Sequence, residues 1–198
     1  LPMIKKWGAA VIALVAEDEI PETARERVKN AEKILRAAES YGLRKEDIVF
    51  DCLALTVSAI QESARQTLDT IRLIRDELGC CTSIGLSNVS FGLPARGRVH
   101  NNFLAQAIAS GLDAAILNSM SDETKETIHA ASLFARRDAD CKKFIAFQGE
   151  MDVKKAVSGG AAAAPKAAAK AMTTRESIYS AVLEGNRDAI VGVVNQGL

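Results

Sequence analysis

The sequence has few aromatic residues, no excess charge and no long apolar run, and these absences exclude several classes of protein. It contains 25 basic and 25 acidic residues and therefore has a formal net charge of zero. A balanced chain lacks the basic face typical of nucleic-acid-binding proteins, although one or two arginines can still hold a small anion. No apolar stretch approaches the roughly 18 residues of a membrane span. The start, "LPMIKKWG", lacks the pattern of a signal peptide.

Cysteines are few and are not spaced for metal binding or for a disulfide framework. No pair has the C-x-x-C spacing, so the sequence predicts neither a zinc site nor any other metal site. We interpret the thiols as reduced, small buried residues of a cytoplasmic protein. The isolated histidines, His100 and His129, are expected to be structural. The four cysteines are Cys52, Cys80, Cys81 and Cys141.

Four short apolar runs predict the strands of an α/β fold. Their apolar character is continuous rather than alternating, which indicates a parallel sheet covered on both faces. A helical pattern lies between successive runs, so the chain reads as a series of β/α units with right-handed crossovers. A further apolar piece, 144–147, is expected to form an extra edge strand. The four predicted strands are 10–15, 48–50, 83–86 and 114–117.

Start and stop signals delimit the four helices between and after these strands. A capping box of Ser58 and Gln61 is expected to open the second helix. The third helix is predicted to begin at about Val99, so that the preceding arginines lie in a loop. The signals are Pro21 to Gly42, Ser58 to Gly79, Val99 to Gly111, and Ser121 for the start of the fourth helix.

The composition changes after residue 150. Residues 156–172, rich in alanine, glycine and proline, are predicted to form a linker, and 173–198 to begin a helical module that the chain does not complete. Residues 1–150 hold four β/α units, which form either an open doubly wound sheet or half of an eight-stranded barrel. The start at Leu1 and the interrupted tail favour a piece of a longer protein.

Polar residues follow each predicted strand, where barrel and doubly wound enzymes place their sites. Asp51 is the strongest candidate, because a carboxylate between "IVF" and "CLAL" must be paired, hydrogen-bonded or protonated. Asn88 offers a donor and an acceptor in a glycine-containing loop, and Arg96 is suited to an anion or to a solvated loop. Glu17 and Asn118 fit ordinary polar strand ends at least as well.

Three segments carry a resemblance to a known family: "FDCLALTVS", "GLSNVSFGLPAR" and "NNFLAQAIASGLDAAI". Over residues 1–150 the chain resembles the pterin-binding family, and more narrowly the methyltetrahydrofolate:corrinoid methyltransferases and the folate module of cobalamin-dependent methionine synthase. The resemblance implies the second half of a (β/α)8 barrel. It also implies 5-methyltetrahydrofolate as substrate, and as acceptor the cobalt of a corrinoid (cobalamin) carried by another domain or protein.

The resemblance also implies roles for individual residues. Asp51 would hydrogen-bond the pterin ring, Asn88 the nitrogen that bears the methyl group, and Arg96 would help to position the folate. Asn118 joins them as a strand-end candidate for substrate binding. The family's "N-R-T-F-L" segment reads "NNFL" here, so Asn102 departs from the pattern.

Several readings of the function remain open at this stage. The tail, 173–198, resembles the first helices of the cap before a corrinoid-binding domain, which favours methionine synthase. The alternatives are a free-standing methyltransferase that serves a separate corrinoid protein, and a truncated non-catalytic module. The related dihydropteroate synthases share the fold, but "GLSNVSFGLP" does not supply their phosphate-anchoring pattern. A homodimer is a further expectation.

Overall fold

A computed structural model describes residues 1–158 and divides the chain into two units, 1–149 and 150–198. The first unit alternates strands and helices, as the sequence predicts. A short 3-10 turn, Leu86–Ser90, follows the third strand, and a π-helical turn, Ile74–Leu78, extends the third helix. The elements are α1 Pro2–Trp7, β1 Val11–Leu14, α2 Ala24–Ser40, β2 Ile48–Asp51, α3 Ser63–Leu73, β3 Cys81–Gly85, α4 Arg96–Ala109, β4 Ala114–Ile116, α5 Asp122–Phe134 and α6 Lys142–Ser158.

The four strands form one parallel sheet in the order β1-β2-β3-β4. This confirms the predicted α/β class and the parallel pairing. A doubly wound sheet reverses its strand order at a switch point, and no reversal occurs among the described strands. Because right-handed crossovers in a sequential order all pass on the same side, α2 to α4 lie on one face of the sheet.

The strand register divides the sheet into a covered face and an open face. The covered face carries Ile48, Phe50 and Ile84, which have no exposed surface. On the open face Leu14, Asp51, Ser83 and Ala114 lie opposite one another in a row. The large apolar side chains of this face, Ile12, Leu14 and Ile116, are 54–60% exposed. The prediction that both faces are covered is therefore wrong for the described residues.

The helices begin at positions that the sequence signals only partly located. A capping box of Thr23 and Glu26 opens α2, with the Thr23 main-chain N–H 3.1 Å from Glu26 Oε2. These hydrogen bonds lower the pKa of Glu26. The capping box predicted for α3 is wrong, because α3 begins at Ser63 and the Ser58 hydroxyl donates instead to the Phe91 carbonyl oxygen at 2.8 Å.

Two further boundaries differ from the predictions. Helix α4 begins at Arg96 rather than at Val99, after Ala95 adopts a left-handed conformation with φ of 51°. The predicted edge strand 144–147 is wrong, because these residues belong to α6. The Asp138 carboxylate accepts hydrogen bonds from the main-chain N–H groups of Lys143 and Phe144, which satisfies the first turn of this helix and lowers the pKa of Asp138.

The predicted linker and cap lie almost entirely outside the described residues. Helix α6 ends at Ser158, inside the segment 156–172 that the sequence predicts as a linker. The predicted cap, 173–198, is not described. Within 1–158, no helix combines the length and the apolarity that crossing a membrane requires.

Candidate functional site

The two strongest sequence candidates lie at the carboxyl ends of neighbouring strands. Asp51 is the last residue of β2 and pairs with Ser83 of β3. Asn88 lies in the turn Leu86–Ser90 that directly follows β3. Since β2 and β3 are parallel neighbours, both residues emerge at the same edge of the sheet, where parallel α/β proteins bind ligands.

Asp51 faces the open side of the sheet, because it shares a register row with Leu14 and Ser83. Its Oδ1 accepts a hydrogen bond from the Leu53 main-chain N–H at 2.9 Å. This local bond closes a tight turn in which Leu53 has a φ of 58°, a left-handed conformation. Oδ2 makes no hydrogen bond to any described residue, so half of the carboxylate remains available to a ligand.

The Asn88 amide lies over the same open face. Gly85 is two residues after Ser83 in β3 and therefore faces the open side. A Cβ atom on Gly85 would lie 3.2 Å from Asn88 Nδ2, so the glycine leaves room for the amide to fold back over the strand. Asn88 is exposed, and within 1–158 its side chain has no hydrogen-bond partner. Its two N–H groups are free to donate to a ligand.

Three hydrogen bonds join the Asp51 loop, residues 52–62 between β2 and α3, to the Asn88 loop, residues 86–95 between β3 and α4. The hydroxyls of Thr56 and Ser58 both donate to the Phe91 carbonyl oxygen at 2.8 Å. The Val57 main-chain N–H donates to the Val89 carbonyl oxygen at 3.1 Å. The two loops therefore form one connected surface at the edge of the sheet.

Arg27 of α2 supports the Asp51 loop from the covered side. It is only 1% exposed. Nη1 donates to the carbonyl oxygens of Cys52 and Leu53, and Nε to that of Pro21, all at 3.1 Å. Burial lowers the pKa of this arginine. Sequence reasoning missed Arg27, although it follows Ala24 by three residues on the stripe of α2 that faces the core.

Arg96 lies beside Asn88 but is partly engaged within the protein. Its Nε donates to the Ser90 hydroxyl at 2.9 Å, and its Nη2 donates to the Ser87 carbonyl oxygen at 2.8 Å. The guanidinium also stacks over the Phe91 ring, 5.9 Å from the ring centre. Nη1 makes no hydrogen bond to the described residues, so one end of this exposed guanidinium can bind an anion.

The other candidates are engaged elsewhere. Asn118 Oδ1 accepts a hydrogen bond from the Met120 main-chain N–H at 3.0 Å, which closes its own turn after β4. Exposed Glu17 forms an ion pair with Lys33 at 2.7 Å. Asn102 donates to the Arg98 carbonyl oxygen one turn back in α4. Asp51, Asn88 and Arg96 therefore lie on the segments that follow the neighbouring strands β2 and β3, whereas Asn118 follows β4 and forms no hydrogen bond with them.

The fold and these residues define a parallel α/β protein whose candidate site lies at the carboxyl ends of its strands. The profile of the family described as "Pterin binding enzyme" matches residues 1–118, which is more than half of the chain. The chain belongs to this family, and the resemblance seen in the sequence is confirmed.

Individual relatives carry more specific names. The chain is 34% identical over 128 residues to the protein named methionine synthase of Mycobacterium leprae and of Mycobacterium tuberculosis, a match that covers 60% of this chain and 11% of each relative. It is 27% identical over 128 residues to the methylcorrinoid:tetrahydrofolate methyltransferase of Eubacterium limosum, covering 63% of this chain and 46% of that protein. The chain thus spans less than half the length of each relative.

Proposed function

We propose that this chain forms the folate-binding part of a methyltransferase that moves the methyl group of 5-methyltetrahydrofolate to a corrinoid, as in methionine synthase. Family membership and the 34% identical relatives support the substrate class. The observation that carries the proposal is the placement of the Asp51 carboxylate and the Asn88 amide on one open face, at the ends of paired strands. Together they present an acceptor and a donor to a single flat ligand.

The Asn88 amide is suited to assist departure of the methyl group. When the methyl group leaves N5 of the folate, the bonding electron pair stays on nitrogen and negative charge builds up there until a proton from solvent balances it, so that tetrahydrofolate leaves as the neutral amine. A donor whose hydrogen bond strengthens as this charge develops lowers the barrier selectively. Asn88 donates without a change of protonation state, and its unpartnered N–H groups need not break an internal bond first.

Asp51 and Arg96 are suited to hold the substrate. The free Oδ2 of Asp51 would accept from the N–H edge of the pterin ring, and hydrogen bonds to a carboxylate are stronger than those to a neutral acceptor. The free Nη1 of Arg96 would meet a carboxylate of the glutamate tail. Residues that position a bound substrate remove much of the entropic cost of reaction.

The methyl acceptor and the rest of the barrel come from outside the described residues. A corrinoid supplies, when bound, the cobalt that accepts the methyl group, and another domain or protein would hold it. Among residues 1–158 no three His, Cys, Asp or Glu side chains form a metal-binding group. The four β/α units would be the second half of a (β/α)8 barrel, in which further strands cover Ile12, Leu14 and Ile116.

A second candidate is a free-standing methyltransferase that acts with a separate corrinoid protein. The Eubacterium limosum relative favours it, since its name describes transfer between a methylcorrinoid and tetrahydrofolate. Assaying methyl transfer in both directions, with free homocysteine and with a separate corrinoid protein, distinguishes the two candidates.

The test uses the full-length gene product and compares two asparagine variants. We expect the wild type to bind 5-methyltetrahydrofolate in calorimetric titration. We expect Asn88→Ala to slow methyl transfer by roughly 10²- to 10³-fold, the usual cost of losing a transition-state donor. Asn102→Ala, a matched asparagine that hydrogen-bonds only within α4, should retain the wild-type rate. Absence of folate binding, or normal turnover of Asn88→Ala, would contradict the proposal.

A further inference from the structure

The turn that carries Asn88 is held from behind by a buried serine. Ser90 has no exposed surface. Its hydroxyl donates to the Ser87 carbonyl oxygen at 3.3 Å, accepts from Arg96 Nε at 2.9 Å and hydrogen-bonds His100 Nε2. One hydroxyl thus joins the start of the turn to two side chains of α4.

Arg96 and His100 are one helical turn apart and therefore lie on the same face of α4. Arg96 reaches both ends of the turn, because its Nη2 donates to the Ser87 carbonyl oxygen and its Nε to Ser90. His100 hydrogen-bonds Ser90 and also interacts with the Ser87 main chain. Asn88 is thus carried between two residues, Ser87 and Ser90, that are both anchored to one helix.

We propose that Ser90 and His100 are positioning residues for Asn88, which set the place of its amide over the open face without touching the substrate themselves. The inference rests on the proposed function for its catalytic consequence, but the restraint of the turn is a property of the fold alone. Productive donors must be held within about 0.5 Å of their ideal place. A displacement of about 1 Å can cost roughly 100-fold in rate.

The proton arrangement of the cluster suits neutral His100. The Ser90 hydroxyl hydrogen is donated to the Ser87 carbonyl oxygen, so the Ser90 oxygen can accept both from Arg96 Nε and from a protonated Nε2 of neutral His100. Partial burial of His100, followed by the charge of Arg96, lowers the pKa of the imidazole. In this arrangement Arg96 and His100 of α4 both donate to Ser90, and Ser90 donates to the Ser87 carbonyl oxygen at the start of the turn.

Hydrogen exchange tests the restraint independently of any folate chemistry. Amide exchange is measured by mass spectrometry for residues 86–91 in Ser90→Ala, His100→Leu and His100→Gln. We expect Ser90→Ala and His100→Leu to speed exchange of this segment about five- to tenfold, without change in 48–52. His100→Gln should restore the wild-type rate, since its amide can replace Nε2. Ser132→Ala, which removes a hydroxyl bonded only within α5, is the control.

Kinetics of the full-length gene product test the consequence. Ser90→Ala and His100→Leu should lower kcat of methyl transfer about tenfold or more while the Kd for 5-methyltetrahydrofolate stays within about twofold. Unchanged exchange of 86–91 in both variants overturns the inference. A change in Kd with normal kcat overturns it as well, because the residues would then act on the substrate. If the wild type does not bind folate, the proposed function is contradicted. The hydrogen-exchange result still decides whether Ser90 and His100 restrain the turn that carries Asn88.

Discussion

Arg27 Nη1 donates a hydrogen bond to the Leu53 carbonyl oxygen, 3.1 Å away, across the boundary between α2 and the loop that follows Asp51. Leu53 has a left-handed backbone, and the Asp51 carboxylate bonds its N–H. The arginine therefore supports the turn of the candidate site from the side opposite to the open face of the sheet. Arg27 is a buried cation, and its hydrogen-bond partners among the described residues are all oxygen atoms of uncharged groups.

Replacing Arg27 should destabilise the fold. Arg27→Met leaves the buried carbonyl oxygen of Cys52 without its donor, whereas that of Leu53 keeps the Thr67 hydroxyl, and an unsatisfied buried group costs roughly 1–3 kcal/mol. We expect the free energy of unfolding to fall by about that amount in urea denaturation. Arg25→Met is the control, because Arg25 forms an exposed ion pair with Glu77, and such pairs contribute only about 0–1 kcal/mol. Equal stability of the two variants would refute the structural role of Arg27.

Gly85→Ala should impair methyl transfer with little effect on stability. The added Cβ would lie 3.2 Å from Asn88 Nδ2, so the exposed amide must move by a few tenths of an ångström. We expect the rate to fall roughly tenfold, since catalytic groups tolerate little displacement. Gly149→Ala, where a Cβ meets nothing within 4 Å, should keep the wild-type rate. Rate measurements and thermal unfolding of both variants decide this, and an unchanged rate in Gly85→Ala would show that Asn88 is not placed by the glycine.

Asp51→Asn should weaken folate binding while the turn is preserved. The asparagine side chain keeps an oxygen that can accept from the Leu53 main-chain N–H. The substitution therefore removes the negative charge but not this hydrogen bond. Since hydrogen bonds to charged groups contribute about 1.5–3 kcal/mol, we expect Kd for 5-methyltetrahydrofolate to rise roughly 10- to 100-fold in calorimetric titration. Asp76→Asn, an exposed carboxylate of the π-helical turn after α3, is the matched control for charge. A normal Kd in Asp51→Asn would remove Asp51 from the site.

Stability should fall as the pH decreases through the titration of His100. Burial and the charge of Arg96 lower the pKa of this histidine in the native state, whereas the unfolded chain titrates near 6.5. The unfolded state therefore binds more protons between the two values, and the native state loses stability as the pH falls from about 7.5 to 5.5. His100→Gln should lose this part of the dependence. Urea denaturation at the two pH values measures it, and identical slopes for both proteins would contradict the prediction.

The strands were predictable because they are short continuous runs of apolar residues. The run 48–50 corresponds to Ile48–Asp51, and Ile48 and Phe50 are fully buried. The prediction of a strand at 144–147 rested on the same signal and is wrong, because a short apolar run does not distinguish a strand from a helix. There the Asp138 carboxylate, which caps the first turn of α6, favours the helix.

The candidate site was predictable only in part. Asp51 and Asn88 stand out because polar residues directly follow apolar strands. The supporting residues do not: Ser90, His100 and Arg27 contact groups 3 to 40 residues away in the sequence. The prediction that α4 begins at about Val99 left Arg96 outside the helix. Arg96 and His100 lie one helical turn apart on one face only because both belong to α4.

The sequence by itself determined the order of β/α units, the parallel sheet and the pterin-binding family, because apolar runs, helix signals and the segment "GLSNVSFGLPAR" are local. Only the tertiary structure decided which face of the sheet is open and what holds the Asn88 turn. Those features depend on strand order and on contacts between loops and helices, such as Arg27 with Leu53 and Ser90 with His100. Such contacts join residues whose separation along the chain carries no periodic signal.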